Sequence, residues 1–264
     1  MLSLILSACS SDIIDDVEYK GVPLKIGSVS IVPPVSDSAT RIIENEDRSA
    51  TCLMPGDKFY VWASNNPVIG VYEVTETGFE AILPVYFKYS LNDVYVWTYA
   101  NQWSEETYDY DGKEWCESVF SYEEDDKCLF YVLQDVKMGV LQNDFLNIEF
   151  KHQLAKVRVI LQGGDINDIK LVRFYCINGY SVDKGTVGFN KIATDSGNYI
   201  SMLKLAVDDS TFWELSIAPQ EIKAENAIMI VYNDGTEQMY TLSNAINLEA
   251  GKISTITLTL QSPE

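Results

Sequence analysis

Residues 253–260 have the sequence Ile-Ser-Thr-Ile-Thr-Leu-Thr-Leu, and from Thr255 onward threonines alternate with apolar side chains. Successive side chains of a β-strand point to opposite faces of a sheet, so Ile256, Leu258 and Leu260 should share one face. The alternation predicts a strand with one buried face and one face in water, as in an antiparallel sandwich.

Short runs of the same kind recur along most of the chain. They are rich in Val, Ile, Tyr, Phe and Trp, which favour a pleated, half-buried surface, and Gly, Asn and Asp turns separate them. No window of a dozen residues has the apolar spacing of a helix, so long helices should be absent. The predicted strands lie at residues 22–32, 58–63, 69–74, 79–83, 94–100, 129–133, 155–161, 169–176, 199–207, 212–218, 227–232, 238–242 and 253–260.

These runs form two clusters along the chain. The 264 residues, of which 47% are hydrophobic, are enough to bury a substantial core. We predict an all-β fold with two antiparallel β-sandwich domains in tandem, joined near residues 134–147. Residues 1–20 are assigned to a signal remnant and tether, 21–145 to the N-terminal domain and 146–264 to the C-terminal domain.

The charge balance excludes one class of partner. The chain has 39 acidic and 19 basic residues, which give a formal net charge of -20. Such a charge repels phosphate backbones, so nucleic acid is not an expected partner. An acidic surface is also an ordinary means of keeping a protein soluble, so the charge alone indicates no ligand.

The N-terminus carries a candidate lipid anchor. Residues 1–8 are mostly apolar, and Leu-Ser-Ala-Cys at 6–9 is similar to a bacterial lipobox, in which the cysteine becomes diacylated. Two acyl chains on Cys9 would anchor the protein stably to the outer membrane at the cell surface. The run is short and lacks a basic residue, which indicates a truncated signal peptide; a chance match is the alternative. No apolar stretch approaches the length of a membrane-spanning helix.

Four further cysteines have an open pairing pattern. Disulfides between Cys52, Cys116, Cys128 and Cys176 are permitted in an oxidising compartment. Cys116 and Cys128 could close a short loop, whereas Cys176 lies in a predicted strand where a buried free thiol is equally consistent. No pair has C-x-x-C spacing and His152 is distant in sequence, so a zinc site is not expected.

Residues 102–127 form an acidic and aromatic insertion. One interpretation is a solvated loop whose aromatic rings pack on the sandwich, and another is a surface that binds glycans through ring stacking. Calcium binding is a third, but the complete calcium-loop motif is missing. The candidate glycan ligands are Trp103, Tyr108, Tyr110 and Trp115.

No motif for catalysis is present. His152 is the single histidine, and the chain lacks the G-x-S-x-G elbow and the phosphate-binding glycine loops. We therefore predict no enzymatic activity and no cofactor, and we expect His152 to be hydrogen-bonded at the domain junction. A glycosidase with two carboxylates is the remaining enzymatic alternative, although no pair is identifiable.

Four segments in order resemble the Mfa-like fimbrillins of Bacteroidales. Phe-Lys-His-Gln-Leu-Ala-Lys-Val at 150–157 is similar to the signature that opens their C-terminal domain. Pro-Gly-Asp-Lys-Phe at 55–59, Ile-Ala-Pro-Gln at 217–220 and Ala-Gly-Lys at 250–252 resemble three other family segments. Together with the lipobox, the resemblance covers nearly the whole chain.

The resemblance implies a fold and a mechanism. Members of this family are type V pilus proteins with two transthyretin-like β-sandwich domains, exported as lipoproteins. In its pilins an arginine-specific protease cuts the loop after the first strand, and a strand from the next subunit fills the groove. Here the first strand would be 22–32, and residues 253–260 would be the donor or docking strand. The cut would follow either Arg41 or Arg48, and the sequence favours neither. Ordinary edge packing of 253–260 is the alternative.

Two functions follow as hypotheses. The first is a structural subunit or adhesin of a cell-surface fimbria, with other fimbrial subunits and the protease as partners. Without a cut, the same protein would suit an anchor or tip role. The alternative is a monomeric surface lipoprotein that binds host or bacterial glycans through the aromatic insertion.

Overall fold

The computed structural model describes residues 21–32, 35–36, 53, 55–99, 113–116, 131–177, 180–189, 197–207 and 210–260. Within these ranges the chain is almost entirely β, with one short 3₁₀ helix at Ile166–Asp168. The strands of the first half are β1 Val22–Pro23, β2 Lys25–Ile31, β3 Val35–Ser36, β4 Lys58–Ala63, β5 Asn66–Thr75, β6 Gly78–Leu83, β7 Tyr86–Phe87, β8 Ser90–Leu91, β9 Val94–Tyr99, β10 Lys113–Cys116, β11 Val132–Lys137, β12 Val140–Leu141 and β13 Phe145–His152.

Twelve more strands follow in the second half. They are β14 Ala155–Gln162, β15 Ile169–Cys176, β16 Tyr180–Asp183, β17 Thr186–Phe189, β18 Asn198–Ser201, β19 Leu203–Val207, β20 Ser210–Ile217, β21 Gln220–Ile222, β22 Ile228–Tyr232, β23 Glu237–Tyr240, β24 Ile246–Leu248 and β25 Lys252–Thr259. The all-β prediction is confirmed, and β4 and β15 have the predicted bounds. In β25, Ile256 is buried and Thr257 exposed, so the alternation of threonine and apolar residues marked the two faces correctly.

The N-terminal half is built on one seven-stranded sheet in the order β2-β13-β11-β9-β4-β5-β6. Alternate side chains point to one face because of the strand period, so Phe59, Val61 and Ala63 of β4 are all fully buried. They join a core that also includes Tyr72 and Phe150. The Phe59 ring stacks on Tyr72, with 5.5 Å between the ring centroids.

Strand β13 begins within the segment that was predicted to connect the two halves. Residues 134–147 were expected to join the domains, but they include most of β11, all of β12 and the start of β13. Leu146, Ile148 and Phe150 pack in the N-terminal core, and the C-terminal core begins at Ala155. The alternation Leu-Asn-Ile-Glu-Phe-Lys at 146–151 was a strand signal that the sequence prediction did not use.

The C-terminal half has two main sheets that enclose a second core. The five-stranded sheet has the order β19-β20-β14-β25-β3, and the four-stranded sheet has the order β18-β15-β22-β23. Val157, Phe174, Trp213 and Ile228 are buried between them. This half is a β-sandwich with one sheet on each side of its core.

The two halves also touch through the β16–β17 hairpin. The Gln134 amide of β11 donates 2.8 Å to the Lys184 carbonyl and 2.7 Å to the Thr186 hydroxyl. A Cβ on Gly185 would lie 2.6 Å from the Trp97 Cβ, so only glycine allows this close approach. The hairpin turn therefore lies directly against the outer face of the N-terminal sheet.

Candidate assembly interface

Most of the predicted site residues lie outside the described residues. They are Cys9, Arg41, Arg48, Trp103, Tyr108 and Tyr110. The exception is Trp115, which lies in β10, where its backbone pairs with Ser181 of β16. Besides the Trp115 backbone, the described parts of the predicted site are the first strand and the terminal strand.

Strand β2 is an edge strand whose single partner in the seven-stranded sheet is β13. The two strands are parallel, with Ile26 beside Leu146 and Ile31 beside Phe150. Ile26, Val29 and Ile31 are partly buried and pack against the N-terminal core, while the residues between them are exposed. The first strand thus covers the core from its edge and is less buried than the strands it covers.

Leu24, immediately before β2, is the most buried residue among those of this segment whose exposure is described. Its side chain is 4% exposed, its amide donates 2.8 Å to the Val85 carbonyl, and its carbonyl accepts 3.5 Å from the Tyr72 hydroxyl. The same hydroxyl accepts 3.3 Å from the Val85 amide. Burial is the main cause that raises the pKa of Tyr72, so the phenol remains neutral in this bridge.

A bulge in the β2–β13 pair brings two backbones together at Gly27. The register shifts between Leu146 and Asn147, and a Cβ on Gly27 would lie 2.8 Å from the Phe145 Cβ. Ser28 compensates locally, because its hydroxyl donates 3.0 Å to the Asn147 side-chain oxygen. The pairing is therefore specific for a glycine at this position.

Strand β3 carries the N-terminal segment onto the other half of the molecule. It pairs in parallel with β25, with Val35 beside Lys252 and Ser36 beside Ile253. On its other side β25 pairs in parallel with β14 over seven residues, from Ile253 to Thr259. One continuous segment thus contributes an edge strand to a sheet of each half.

His152 ends β13 at the junction between the halves. Burial, with a smaller contribution from the Lys156 charge, lowers the pKa of His152 to about 4, so the ring is neutral at pH 7. The expectation of a hydrogen-bonded histidine is not met at Nε2, which is buried and has no partner among the described residues. The ring therefore lies at the junction as a neutral side chain.

A buried ion pair crosses the five-stranded sheet on the face opposite to the C-terminal core. The Arg158 Nε donates 2.6 Å to a Glu214 carboxylate oxygen, and Lys156 Nζ lies 3.9 Å from the other oxygen. The Arg158 guanidinium also lies 4.1 Å from the centroid of the Phe212 ring. The buried Glu214 carboxylate is therefore compensated by the Arg158 guanidinium, with Lys156 at longer range.

Cys176 is a free cysteine and is buried in the C-terminal core. Burial raises the pKa of this thiol to about 12, so it is not a thiolate at pH 7 and is inert. Cys52 and Cys128 lie outside the described residues. Pairing among the other cysteines stays a prediction.

The sequence did not identify Leu24, Tyr72 or Gly27 as residues that position the first strand. Their roles depend on Val85 and Phe145, which lie far away along the chain. The available signal was a glycine within an otherwise β-rich run, which indicates a bulge or a close backbone approach. It does not indicate the partner strand.

Two structural features bear on other classes of function. Among the described residues, no group of three or more histidine, cysteine or carboxylate side chains is arranged to hold a metal ion. Within the same described ranges, the structure has no helix with the length and hydrophobicity that a membrane span requires.

Three solved structures share this fold. A candidate cell adhesion protein of Bacteroides ovatus is 15% identical and has a TM-score of 0.60, with 89% of this chain and 92% of that chain covered. One of Bacteroides uniformis is 16% identical, with a TM-score of 0.58 and coverage of 91% and 94%. A third, of Bacteroides thetaiotaomicron, is 16% identical, with a TM-score of 0.52 and coverage of 88% and 93%. At such low identity the likeness shows the fold alone.

Sequence comparison gives the family. No curated protein matches the chain. Residues 134–264 match the family model described as fimbrillin-like, and this range holds the Phe-Lys-His-Gln-Leu-Ala-Lys-Val segment, the terminal strand and the two main sheets of the C-terminal sandwich except β3. Across these residues the chain belongs to the fimbrillin-like family.

Proposed function

We propose that this protein is a structural subunit or adhesin of a cell-surface fimbria that assembles by strand exchange. The observation that carries the proposal is the position of β2, an edge strand from the start of the chain that covers the N-terminal core. Its loss would uncover one edge of β13, whose Leu146, Ile148 and Phe150 side chains are now buried. An unpaired edge beside apolar side chains is the surface that strand addition satisfies.

Proteolytic release of the segment is compatible with its placement. Arg41 and Arg48, the two candidate cleavage sites, follow β3 in the chain, so either cut would separate β1, β2 and β3 from the rest. Leu24 and four partly buried residues, Val22, Ile26, Val29 and Ile31, pack the segment against the N-terminal core, and no strand lies outside β2 in its sheet among the described residues. The segment can therefore leave without displacing another strand.

The terminal strand fits a docking role better than a donor role. Strand β25 lies between β14 and β3, and Ile256 and Leu260 are part of the C-terminal core. A donor strand would have to leave seven paired residues of β14. Departure of β3 would instead leave β25 as the edge of the five-stranded sheet, open to an incoming strand.

The remaining features follow from the same proposal. Cys9 would hold the uncut precursor on the outer membrane through its acyl chains. The partners would be other fimbrial subunits and an arginine-specific protease, and the role would be structural without chemistry of its own. The fimbrillin-like family supports this assignment.

Mass spectrometry of cell-bound and shed protein tests the maturation step. A mature chain that begins at Ile42 or Ser49 is expected, together with an acylated precursor that begins at Cys9. Arg41→Ala and Arg48→Ala, alone and combined, identify the cut, and Arg158, buried in the C-terminal half, is the matched arginine that should remain uncut.

Assembly is the second readout. The chain cut after β3 should form ladders that resist mild detergent, whereas the double arginine variant should stay monomeric. A cut chain that remains monomeric at high concentration, and whose β13 amides exchange as slowly as in the precursor, would contradict strand exchange.

A further inference from the structure

The end of the N-terminal sheet that lies opposite the junction has an unusual surface. We call residues 64–66, 86–93 and 137–145 the distal pole. Tyr89 is 83% exposed there, Met138 77%, Phe145 60% and Leu141 58%. Neighbouring exposed apolar side chains of this size mark a contact surface.

The distal pole is rigid enough to present these side chains together. β8 and β12 pair there, with Leu141 beside Ser90. The Asn65 amide donates 2.9 Å to the Ser90 carbonyl, and the Asp144 carboxylate accepts 3.1 Å from the Leu141 amide. The Gln142 amide donates to the Lys88 carbonyl. The β8–β12 pairing and these side-chain bonds to the backbone therefore connect the loops, while the four apolar side chains stay exposed.

The chain enters the fold at this same pole. A Cβ on Gly21 would lie 3.1 Å from the Lys88 amide nitrogen, and Val22 of β1 pairs with Phe87. Strand β2 then runs from Lys25, beside Phe145, toward the junction. Cys9 precedes Gly21 by twelve residues, which span at most about 40 Å when extended. A lipid on Cys9 would therefore tether the fold to the membrane from the distal pole, within reach of the lipid surface.

The charge of the pole is compatible with a lipid surface. Lys88 and Lys137 balance Asp93 and Asp144 within it, on a chain whose formal net charge is -20. Lys25 Nζ lies 5.7 Å from the centroid of the Phe145 ring at its border. Lysine beside exposed aromatic rings is typical of surfaces that lie in the headgroup region, where the stem is apolar and the amine reaches water.

We propose that the distal pole rests on the lipid surface in the anchored precursor, with Tyr89, Met138, Leu141 and Phe145 in the headgroup region. The inference depends on the lipid anchor of the proposed function and adds a second, non-covalent contact to it. Cleavage after β3 would end the tethering and leave this apolar surface exposed. The pole contact therefore orients the precursor before release.

Footprinting of the full-length acylated protein in phosphatidylethanolamine–phosphatidylglycerol vesicles tests this orientation. Lys25 should react with an amine reagent several-fold more slowly on vesicles than in the soluble Cys9→Ser chain. Lys223, an exposed lysine of the C-terminal half, is the matched control and should be unchanged. Peroxide oxidation should likewise slow at Met138 and not at Met239. Equal vesicle effects at the pole and at the control residues would overturn the proposal.

Two further arms separate the alternatives. Tyr89→Ser with Met138→Ser, both at exposed positions, should restore Lys25 reactivity on vesicles without changing the unfolding midpoint; unchanged protection would contradict the pole contact. The soluble chain is also measured without vesicles. If Lys25 is protected there and sedimentation shows a dimer, a second copy of the chain covers the pole, and the lipid contact is overturned.

The anchor itself is tested apart from the pole. If the mass of the precursor shows no acyl group on Cys9, the anchor proposal fails. The Cys9→Ser chain can then be attached through an N-terminal hexahistidine tag to vesicles with a nickel-chelating lipid. Slower reaction of Lys25 on these vesicles would support the pole contact by itself, and equal reaction of Lys25 and Lys223 would reject it.

Discussion

The C-terminal core is enclosed between two sheets, whereas the N-terminal core lies between one seven-stranded sheet and the short strands β7, β8 and β12, and a strand from the start of the chain forms one edge of the large sheet. Exposed apolar side chains are distributed in the same unequal way. Of the eleven large ones among the described residues, nine lie in the N-terminal half and two, Tyr175 and Met239, in the C-terminal half. The N-terminal half thus carries most of the exposed apolar surface among the described residues.

The largest expected effect concerns the buried ion pair of the C-terminal half. Glu214→Ala leaves the Arg158 guanidinium buried without its carboxylate, which should lower the free energy of unfolding by about 3–5 kcal/mol. Denaturant unfolding with hydrogen exchange should place the loss in β14 and β20. Glu237→Ala, at an exposed position of the same half, is the control. A loss below about 1 kcal/mol would show that water reaches the pair.

Removal of the Leu24 side chain should weaken the other half. Leu24→Ala leaves a cavity under the first strand, and large-to-small changes of this kind cost about 2–5 kcal/mol. Faster hydrogen exchange is expected in β2 and β13, with the C-terminal sheets unchanged. Ser28→Ala, at an exposed position of the same segment, should cost less than about 1 kcal/mol. An equal change in the hydrogen-exchange rates of both halves would contradict the expectation that the loss is confined to the N-terminal half.

Acid should weaken the junction through His152. The folded pKa of about 4 lies below the ordinary value of 6.5, so the unfolded chain binds the proton more readily between these pH values. The contribution is complete above pH 6.5 and is lost as the pH falls toward 4, by at most about 3 kcal/mol. The imidazole NMR signal of this single histidine gives the pKa directly. His152→Gln should show a flatter stability profile from pH 6.5 to 4, and an identical profile would contradict the assignment.

The smallest effect is expected from Tyr72→Phe. The change removes the hydroxyl that bridges the Leu24 carbonyl and the Val85 amide at 3.5 and 3.3 Å. A net loss of about 1 kcal/mol is expected, because both bonds to the hydroxyl are long and the Leu24 amide keeps its 2.8 Å bond to the Val85 carbonyl. Urea unfolding measures it, and Tyr240→Phe in the C-terminal half is the matched control, because the Tyr240 hydroxyl is buried and has no hydrogen-bond partner within the described part of the chain. An equal loss at both sites would mean that the bridge adds nothing.

Much of the fold could be predicted from the sequence. The bounds of β4 and β15 were predicted correctly because alternating or β-rich runs are local properties. The connection at 134–147 was misplaced because β13 follows a short turn and its alternation was not recognised. Of the candidate site, the first strand was found, although not its break at Leu24 or its contact with Tyr72.

The sequence by itself determined the all-β class, the two faces of the terminal strand and the resemblance to fimbrillins, because each depends on residues close together in the chain. Only the tertiary structure decided the partners: β2 beside β13, β3 beside β25, and the chain entering at the distal pole. These pairs join residues more than a hundred positions apart. The side-chain pattern of a strand determines which of its faces is buried, but the same pattern is compatible with many neighbouring strands. The partner of an edge strand is therefore decided only when the two cores form in the folded protein.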